Sequence, residues 1–363
     1  MKSIFIPRYF WNGTNDEVCT NTAVLVRDNR IEQIDEPEKL RLGYPEAQVL
    51  ESNDWLMMPA FVDAHDHGRG MSPISFRTPD RALEMWLQDL NKLPAIPHYQ
   101  ACYYDGMRLV SSGVGMVLHS HNPNSFAQIR EEMVAAEKGY KDAGIRSILC
   151  PLYLDQNKRI YYDRDKFISD LPEPLRTNFA AGIHDKIMNM DEYFQLVEGI
   201  CEDLADDIKA GWTEVQLHPN GGQWCSDEAL LQMKEYALEH GMYIHLHLLE
   251  TQYQAEYAKR TWGKSFIKHY KEIGFLGPWV SFAHAVWLDE EDLQLIAESG
   301  AHLITNPSSN LRLRSGIFNM QRANELGIDC GIGLDGCAFD DDQDYLREIR
   351  VAWLNNLHNG VDG

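Results

Sequence analysis

The chain carries the stretch MPAFVDAHDH at residues 58–67, in which an apolar run ends in two histidines, His65 and His67. Side chains alternate between the two faces of a β-strand, so residues two apart project to the same side. Neutral imidazole is a common ligand for Zn²⁺ and Fe²⁺. This stretch therefore predicts a strand that presents half of a metal site at its C-terminal end.

The rest of the chain alternates between strand-like and helix-like segments. The predicted strands begin at Leu56, Gly115, Ile145, Thr213, Tyr243, Val280, His302 and Ile328. Helix-like segments fill residues 99–112, 125–142, 191–210, 226–240, 252–270, 289–299 and 320–326. Repeated units of this kind imply parallel strands with right-handed crossovers, and eight of them close a barrel. We therefore predict an α/β fold, a (β/α)8 TIM-like barrel over residues 56–363, with its chemistry at the C-terminal strand ends.

Polar residues end several later strands, in segments whose order along the chain is informative. These segments are HLLET at 247–251, AHA at 283–285, NPSSNLRL at 306–313 and GLDG at 333–336. Together with PAFVDAHDH at 59–67, they resemble the amidohydrolase superfamily, and within it the branch of the cytosine and guanine deaminases and the triazine hydrolases. The resemblance spans nearly the whole chain.

The resemblance implies a set of site residues. It implies one divalent metal ion per chain, zinc with iron as the alternative, bound by His65, His67, His247 and Asp335. It also implies that Glu250 transfers protons and that His284 contacts the attacking water or the substrate.

The chemistry of these side chains agrees with such roles. A divalent metal lowers the pKa of its bound water toward about 7, which supplies hydroxide for attack on an sp² carbon. Asp335 can accept the water proton, and Glu250 can pass a proton to a ring nitrogen and then to departing ammonia. His284 can stabilise negative charge that develops on oxygen.

We therefore predict a metal-dependent aminohydrolase, a hydrolase of carbon–nitrogen bonds other than peptide bonds. Its substrate would be a small heterocycle of the purine, pyrimidine, pterin or triazine type. One alternative is the same site releasing an amide amine or chloride. Another is a metal-binding protein without turnover, which is disfavoured because none of the six residues is replaced.

Several histidines leave more than one interpretation open. His119 and His121 form a second His-x-His, which could line the pocket, satisfy a loop or bind another metal. His245 lies on the same strand face as His247 and competes with it as a ligand. His218 ends the predicted fourth strand, where two-metal relatives place a modified lysine. Residues 212–220 contain no lysine, which favours one metal.

Other polar side chains near the strand ends are candidates for substrate contact. They are Arg69, His119, His121, Asn220, Gln223, Trp224, Asn306 and Asn310. Arg69 could pair with an anionic or carbonyl group of the substrate, or cap a surface loop. Trp224 could read a planar ring, or pack beneath the helix that begins near Ser226. Like Arg69, Arg312 and Arg314 could pair with an anionic or carbonyl group of the substrate, or cap a surface loop.

Residues 1–55 read differently, as short strand-like pieces at 4–6, 23–26, 30–34 and 48–50 separated by turn residues. They predict a small antiparallel sheet, part of a small N-terminal β-sandwich domain. In the family this sheet is completed by residues after the barrel, and the sequence ends at Gly363. We therefore expect the domain to be incomplete at the C-terminus, or to borrow an edge strand from a partner subunit in a homodimer.

Composition limits the partners. The chain has 33 basic and 55 acidic side chains, a net charge of −22, which argues against a nucleic-acid backbone or an anionic membrane as partner. It has neither 18 consecutive uncharged apolar residues nor a cleavable signal pattern, so we expect a cytoplasmic protein. The seven cysteines form no CxxC pair, which suits reduced thiols; Cys225 and Cys337 could reach the pocket, although burial as small apolar groups fits them better.

Overall fold

The computed structural model describes residues 1–90, 92–156, 161, 164–181, 188–336 and 341–357. The chain divides into two compact units, Met1–Ala60 and Phe61–Gly363. Six cysteines are free, and Cys337 lies outside the described residues. None of the helices in the described ranges is long and apolar enough to cross a membrane.

The first unit is built on a four-stranded sheet with the order β3-β2-β1-β4. Its elements are β1 (Lys2–Phe10), β2 (Ala23–Arg27), β3 (Arg30–Asp35), α1 (Pro37–Gly43) and β4 (Gln48–Met57). All four predicted strand pieces fall within these strands. The sheet is mixed rather than purely antiparallel, because β4 runs parallel to β1. Parallel pairing requires a crossover, and α1 supplies it between β3 and β4.

The second unit contains two four-stranded parallel sheets. Their strands are β5 (Phe61–Asp66), β6 (Val114–Ser120), β7 (Arg146–Cys150) and β9 (Thr213–Val215), and then β11 (Ile244–Leu248), β12 (Val280–His284), β13 (His302–Thr305) and β14 (Cys330–Ile332). A short parallel pair, β8 (Leu152–Tyr153) and β10 (His218–Pro219), extends the strand ends. A parallel bridge between Leu217 and Ile244 connects the two sheets, an arrangement compatible with the predicted barrel.

These eight strands correspond to the eight predicted from the sequence, with shifted boundaries. The largest shift is at the first strand, which was expected from Leu56 but begins at Phe61. Leu56 and Met57 instead continue β4 of the first unit. The chain interrupts its strand pairing at Pro59, which has no N–H to donate to a ladder.

Helices separate the strands of the second unit. They are α2 (Leu83–Leu90), α3 (His98–Ser111), α4 (Ile129–Ala143), α5 (Arg164–Asp170), α6 (Leu175–Ala181), α7 (Met190–Asp203), α8 (Ala205–Ala210), α9 (Asp227–His240), α10 (Gln252–Trp262), α11 (Phe266–Glu272), α12 (Glu290–Ser299), α13 (Pro307–Arg312), α14 (Met320–Glu325) and α15 (Tyr345–Asn355). The single helix predicted over 252–270 is two helices. Gly263 ends α10 in the left-handed conformation, and the Ser265 side chain caps α11.

The first and last strands of the larger unit are joined by buried polar contacts. The Asp63 carboxylate accepts hydrogen bonds from the backbone N–H of His65, at 3.3 Å, and of Leu334, at 3.0 Å. The N–H of Asp335 donates to the carbonyl oxygen of His65 at 2.8 Å. These contacts place the C-terminal ends of β5 and β14 side by side.

Asp63→Ala is expected to lower the free energy of unfolding by about 1–3 kcal/mol, because two buried N–H groups lose their acceptor. Burial raises the pKa of Asp63 well above its usual value, so the neutral amide of Asp63→Asn should cost less than alanine. Urea unfolding of metal-free protein measures both changes. Asp329→Ala removes a side chain that is 90% exposed and serves as the control. Equal midpoints for Asp63→Ala and this control would contradict the prediction.

Candidate metal and catalytic site

Five side chains converge where β5, β11, β12 and β14 end. They are His65, His67, His247, His284 and Asp335. The Nε2 atoms of His65 and His67 lie 3.2 and 3.0 Å from Asp335 Oδ1. His247 Nε2 lies 3.4 Å from His67 Nε2. Candidate ligand atoms of His65, His247, His284 and Asp335 all lie within 4.8 Å of one another.

The Nδ1 atoms of His67 and His247 contact backbone carbonyl oxygens on the side away from the cluster. His67 Nδ1 lies 2.7 Å from the carbonyl oxygen of Ser120, and His247 Nδ1 lies 2.5 Å from that of Asn220. A carbonyl oxygen only accepts, so His247 Nδ1 carries a proton and its Nε2 presents a lone pair to the cluster. His67 Nδ1 also lies 2.8 Å from Asn122 Nδ2. Metal-bound histidines usually have outer contacts of this kind.

His65 supplies the observation that tests whether a metal fits. Its Nε2 atom is buried and has no hydrogen-bond partner, although Asp335 Oδ1 lies nearby. An unpaired buried polar atom is costly, and a cation shared with the carboxylate would remove that cost. Three imidazoles and one carboxylate suit zinc or iron. The residues therefore fit one divalent ion.

Burial sets the protonation of these groups. It lowers the pKa of His65 and His67, and it lowers that of His247 well below the usual value. The three imidazoles are therefore neutral, as ligands must be. Burial alone would raise the pKa of Asp335, but the adjacent imidazoles of His65 and His67 hold it well below its usual value. Ser309 also donates to Asp335 Oδ2 at 2.5 Å.

The competing histidines lie behind the cluster. His245 Nε2 is 2.7 Å from His65 Nδ1, and its Nδ1 is 2.8 Å from the Ser281 hydroxyl. His218 lies between the Ser120 hydroxyl, at 2.8 Å, and the carbonyl oxygen of His245, at 2.6 Å. The geometry thus favours His247 over His245 as the ligand and leaves His245 to orient His65.

Glu250 is the acidic side chain nearest to His284. Its Oε2 atom lies 3.7 Å from His284 Nε2. Burial, together with the nearby carboxylates of Asp335 and Glu84, raises the pKa of Glu250 well above its usual value. Glu250 therefore holds its proton to a higher pH than an ordinary glutamate, which suits a proton donor.

His284 is oriented by two asparagines that the sequence pattern had marked as substrate contacts. Its Nδ1 atom lies 3.0 Å from Asn310 Oδ1 and 3.1 Å from the amide oxygen of Asn306. In this orientation of the Asn306 amide, its nitrogen donates to the carbonyl oxygens of Thr305 and Gly333. Nδ1 therefore carries the proton. Burial lowers the pKa of His284 to about 4, so the neutral ring, with its proton on Nδ1, has a lone pair on Nε2. The contact of His284 with the attacking water or the substrate stays a prediction.

Strained backbone conformations occur at the same strand ends. Leu249, His284 and Asp335 all have positive φ, at 49°, 71° and 60°, which is rare for residues other than glycine. Such conformations persist only where the surrounding structure enforces them, and they cluster at functional sites.

A cavity of about 860 Å³ opens onto the cluster. His67, His247, Glu250, His284 and Asp335 lie in its lining. Another part of the lining, here called the apolar wall, consists of Phe76, Leu83, Trp86, Leu87, Leu90, Leu93 and Ile96. Sequence reasoning missed this wall. Its signal was present as apolar residues 83, 86, 87 and 90, which have the spacing of one face of α2.

Only some predicted substrate contacts reach this cavity. Arg69, Asn220 and Trp224 line it. Arg69 Nη1 donates to the carbonyl oxygen of Asp335 at 3.4 Å, and its guanidinium lies 5.3 Å from the Trp86 ring. Trp224 is also buried, in a core cluster that includes Ala229 and Leu230 of α9. Its contact with a planar substrate ring stays a prediction.

The other predicted contacts are elsewhere. Gln223 donates to the Tyr161 hydroxyl at 3.3 Å and is absent from the described lining. His119 and His121 are fully buried beside His98 and Glu132. Arg312 pairs with Asp80 and Asp341 in ion pairs that tie segments of the chain together.

The sequence model of the amidohydrolase family matches residues 56–362. The chain belongs to the amidohydrolase family. It is 27% identical over 360 residues to the 5′-deoxyadenosine deaminase of Methanopyrus kandleri, covering 96% of this chain and 73% of that relative.

Solved structures of other proteins have folds similar to that of this chain. An adenosine deaminase from Xanthomonas campestris with bound zinc has a TM-score of 0.78 at 20% identity, covering 98% of this amidohydrolase and 73% of that chain. An atrazine chlorohydrolase from Arthrobacter aurescens TC1 complexed with zinc has a TM-score of 0.78 at 16% identity, covering 98% and 76%. Because the two named activities differ, the fold of this amidohydrolase does not by itself choose the leaving group.

His245→Ala is expected to weaken divalent-metal binding about 10- to 100-fold, because His65 loses the contact that orients its ring. Competition with a chelator of known affinity measures the change. His302→Ala alters a histidine that is 41% exposed and should leave the affinity unchanged. An unaltered affinity in His245→Ala would rule out the orienting role.

Proposed function

We propose that this amidohydrolase removes the exocyclic amino group of an uncharged adenosine-type nucleoside and releases ammonia. The observation that carries the proposal is the 3.7 Å distance between Glu250, whose pKa burial raises, and His284, whose pKa burial lowers, beside the cluster of three imidazoles and Asp335. In such a pair Glu250 is the proton donor and His284 is the hydrogen-bond acceptor, and deamination requires that different groups fill these two roles.

His65, His67, His247 and Asp335 would hold one divalent ion, and the zinc named in the two structural neighbours supports zinc over iron. When bound, the ion activates a water molecule for attack on an sp² carbon. The protein residues supply the remaining steps.

His284 Nε2 orients the water through its lone pair, and Asp335 accepts the proton that the water releases. Glu250 donates its proton to the ring nitrogen next to the attacked carbon. The new hydroxyl group on the carbon then gives its proton to Glu250, Glu250 passes it to the amino group, the carbon–nitrogen bond breaks, and ammonia leaves. The proton held by Asp335 afterwards returns to Glu250. Amines are poor leaving groups without this protonation, whereas chloride needs none, so a protonated Glu250 favours deamination over dechlorination.

The cavity supports a nucleoside rather than a free base or a nucleotide. Its volume of about 860 Å³ leaves room beyond a base, near the upper end of the usual range for ligand sites. Among the described lining residues, the basic side chains are Arg69, His67, His98, His247 and His284, and burial keeps these histidines neutral. A phosphate would lose its hydration there with little compensation.

Three wider assignments belong to the same proposal. The eight strands from Phe61 to Ile332 form a closed (β/α)8 barrel, supported by the Leu217–Ile244 bridge and the bond from Asp335 N to His65 O. Residues 1–60 form a separate small β-domain. The six free thiols support a reducing compartment, the cytoplasm.

Glu250→Gln is expected to lower kcat/KM for ammonia release about 10²- to 10⁴-fold, because glutamine cannot give up a proton. Metal content should stay at the wild-type level, since Glu250 is not a ligand. Glu239→Gln changes an exposed helix residue and is the matched control. Activity within a few-fold of wild type in Glu250→Gln would remove Glu250 from the mechanism.

Ammonia release should be at least about tenfold faster, as kcat/KM, for 5′-deoxyadenosine than for adenosine 5′-monophosphate, because the apolar wall disfavours a charged phosphate. A coupled assay over these two compounds, adenine, guanine, cytosine and atrazine measures the preference. Equal rates for nucleoside and nucleotide would contradict the substrate class. Chloride release from atrazine without ammonia release from any compound would overturn the reaction type.

A further inference from the structure

We propose that His98, His121 and Glu132 form a second divalent-cation site, suited to Zn²⁺, separate from the cluster around Asp335. His98 is the first residue of α3, His121 follows β6, and Glu132 lies in the first turn of α4. The three residues therefore come from three different elements that pack together beside the cavity.

The candidate ligand atoms already converge. His121 Nε2 and His98 Nε2 lie 3.1 and 3.2 Å from the same atom, Glu132 Oε2. One ligand atom from each residue lies within 4.8 Å of the others. His98 Nε2 is buried and makes no hydrogen bond despite this proximity. Two imidazoles and one carboxylate are a donor set that zinc accepts, with room for water or a further ligand.

Glu132 is fixed in place before any ion arrives. Its Oε1 atom accepts from the N–H of Ser125 at 3.0 Å, and its Oε2 atom accepts from the N–H of Asn124 at 3.1 Å. Burial lowers the pKa of His98 to about 4 and also lowers that of His121. Both imidazoles are therefore neutral and can offer a lone pair.

The contacts behind His121 allow that lone pair to face Glu132. His121 Nδ1 lies 3.1 Å from His119 Nε2, His119 Nδ1 lies 3.1 Å from the Tyr140 hydroxyl, and that hydroxyl lies 3.4 Å from Asp105 Oδ2. If each proton points along this series toward Asp105, His121 Nε2 is left without one. It then faces a carboxylate oxygen as acceptor to acceptor, and a cation between them relieves the repulsion.

The opposite proton direction gives the competing interpretation. Tyr140 would donate to His119, His119 to His121, and His121 to Glu132, so a hydrogen-bonded network would form without an ion. That network leaves His98 Nε2 unsatisfied, whereas an ion satisfies it. This difference favours the metal.

An ion could enter from the cavity and would affect its wall. His98, Asn122 and Asn124 all line the cavity. Asn122 Nδ2 lies 2.8 Å from His67 Nδ1, so the segment after β6 contacts a residue of the first cluster. Binding at the second site would fix this segment and the start of α3 beside the catalytic residues.

Metal stoichiometry tests the proposal directly. Protein equilibrated with buffered Zn²⁺ and analysed by elemental analysis should hold about two equivalents in the wild type and about one in His98→Ala and in Glu132→Gln. His247→Ala should also lose one equivalent, and the double variant His98→Ala/His247→Ala should retain none. His302→Ala is the matched control and should keep two. Wild-type stoichiometry in His98→Ala and Glu132→Gln would overturn the proposal.

A measurement on the unaltered protein covers the case in which a variant fails to fold. Crystals of wild-type protein at saturating zinc should show an anomalous peak between the three side chains, measured at the zinc absorption edge. Density without an anomalous peak there would overturn the second site. Neither result depends on deamination, so failure of the proposed activity and failure of this site are separate outcomes.

Discussion

Asp335 faces the Nε2 atoms of His65 and His67, and this contact joins the last strand of the larger unit to the first. The backbone repeats the junction, because the N–H of Asp335 donates to the carbonyl oxygen of His65. A one-residue shift of either strand would turn its side chains to the other face and separate the carboxylate from the imidazoles. The pairing of the strands and the assembly of the site therefore depend on the same register.

Burial determines the chemistry at that junction. Burial lowers the pKa of His247, so its imidazole binds a proton less readily. Burial raises the pKa of Glu250, so its carboxyl group holds a proton more readily. One physical effect thus favours neutral imidazoles and a protonated Glu250 side by side. The same effect acts on His98 and His121, where a second set of neutral imidazoles faces a carboxylate.

The sequence predicted where the eight strands lie and which side chains come together at their ends, whereas the ligand and catalytic roles of those side chains stay predictions. His65, His67, His247, His284 and Asp335 each end a predicted strand, and parallel strands bring their C-terminal ends to one side. The pattern was less informative about side chains on loops. Asn306 and Asn310 were expected at the substrate, but they hold His284, because their direction depends on how α13 leaves β13.

The sequence by itself determined the alternation of strands and helices and the residue types at the strand ends, since periodicity and composition are local properties. Only the tertiary structure decided that His247 rather than His245 faces Asp335, that His284 has its lone pair on Nε2, and that α2 covers the cavity. It also separated His121 from His119, placing one against Glu132 and the other behind it. The physical reason is that burial, hydrogen-bond partners and proton positions arise from residues far apart in the chain, which a linear pattern does not bring together.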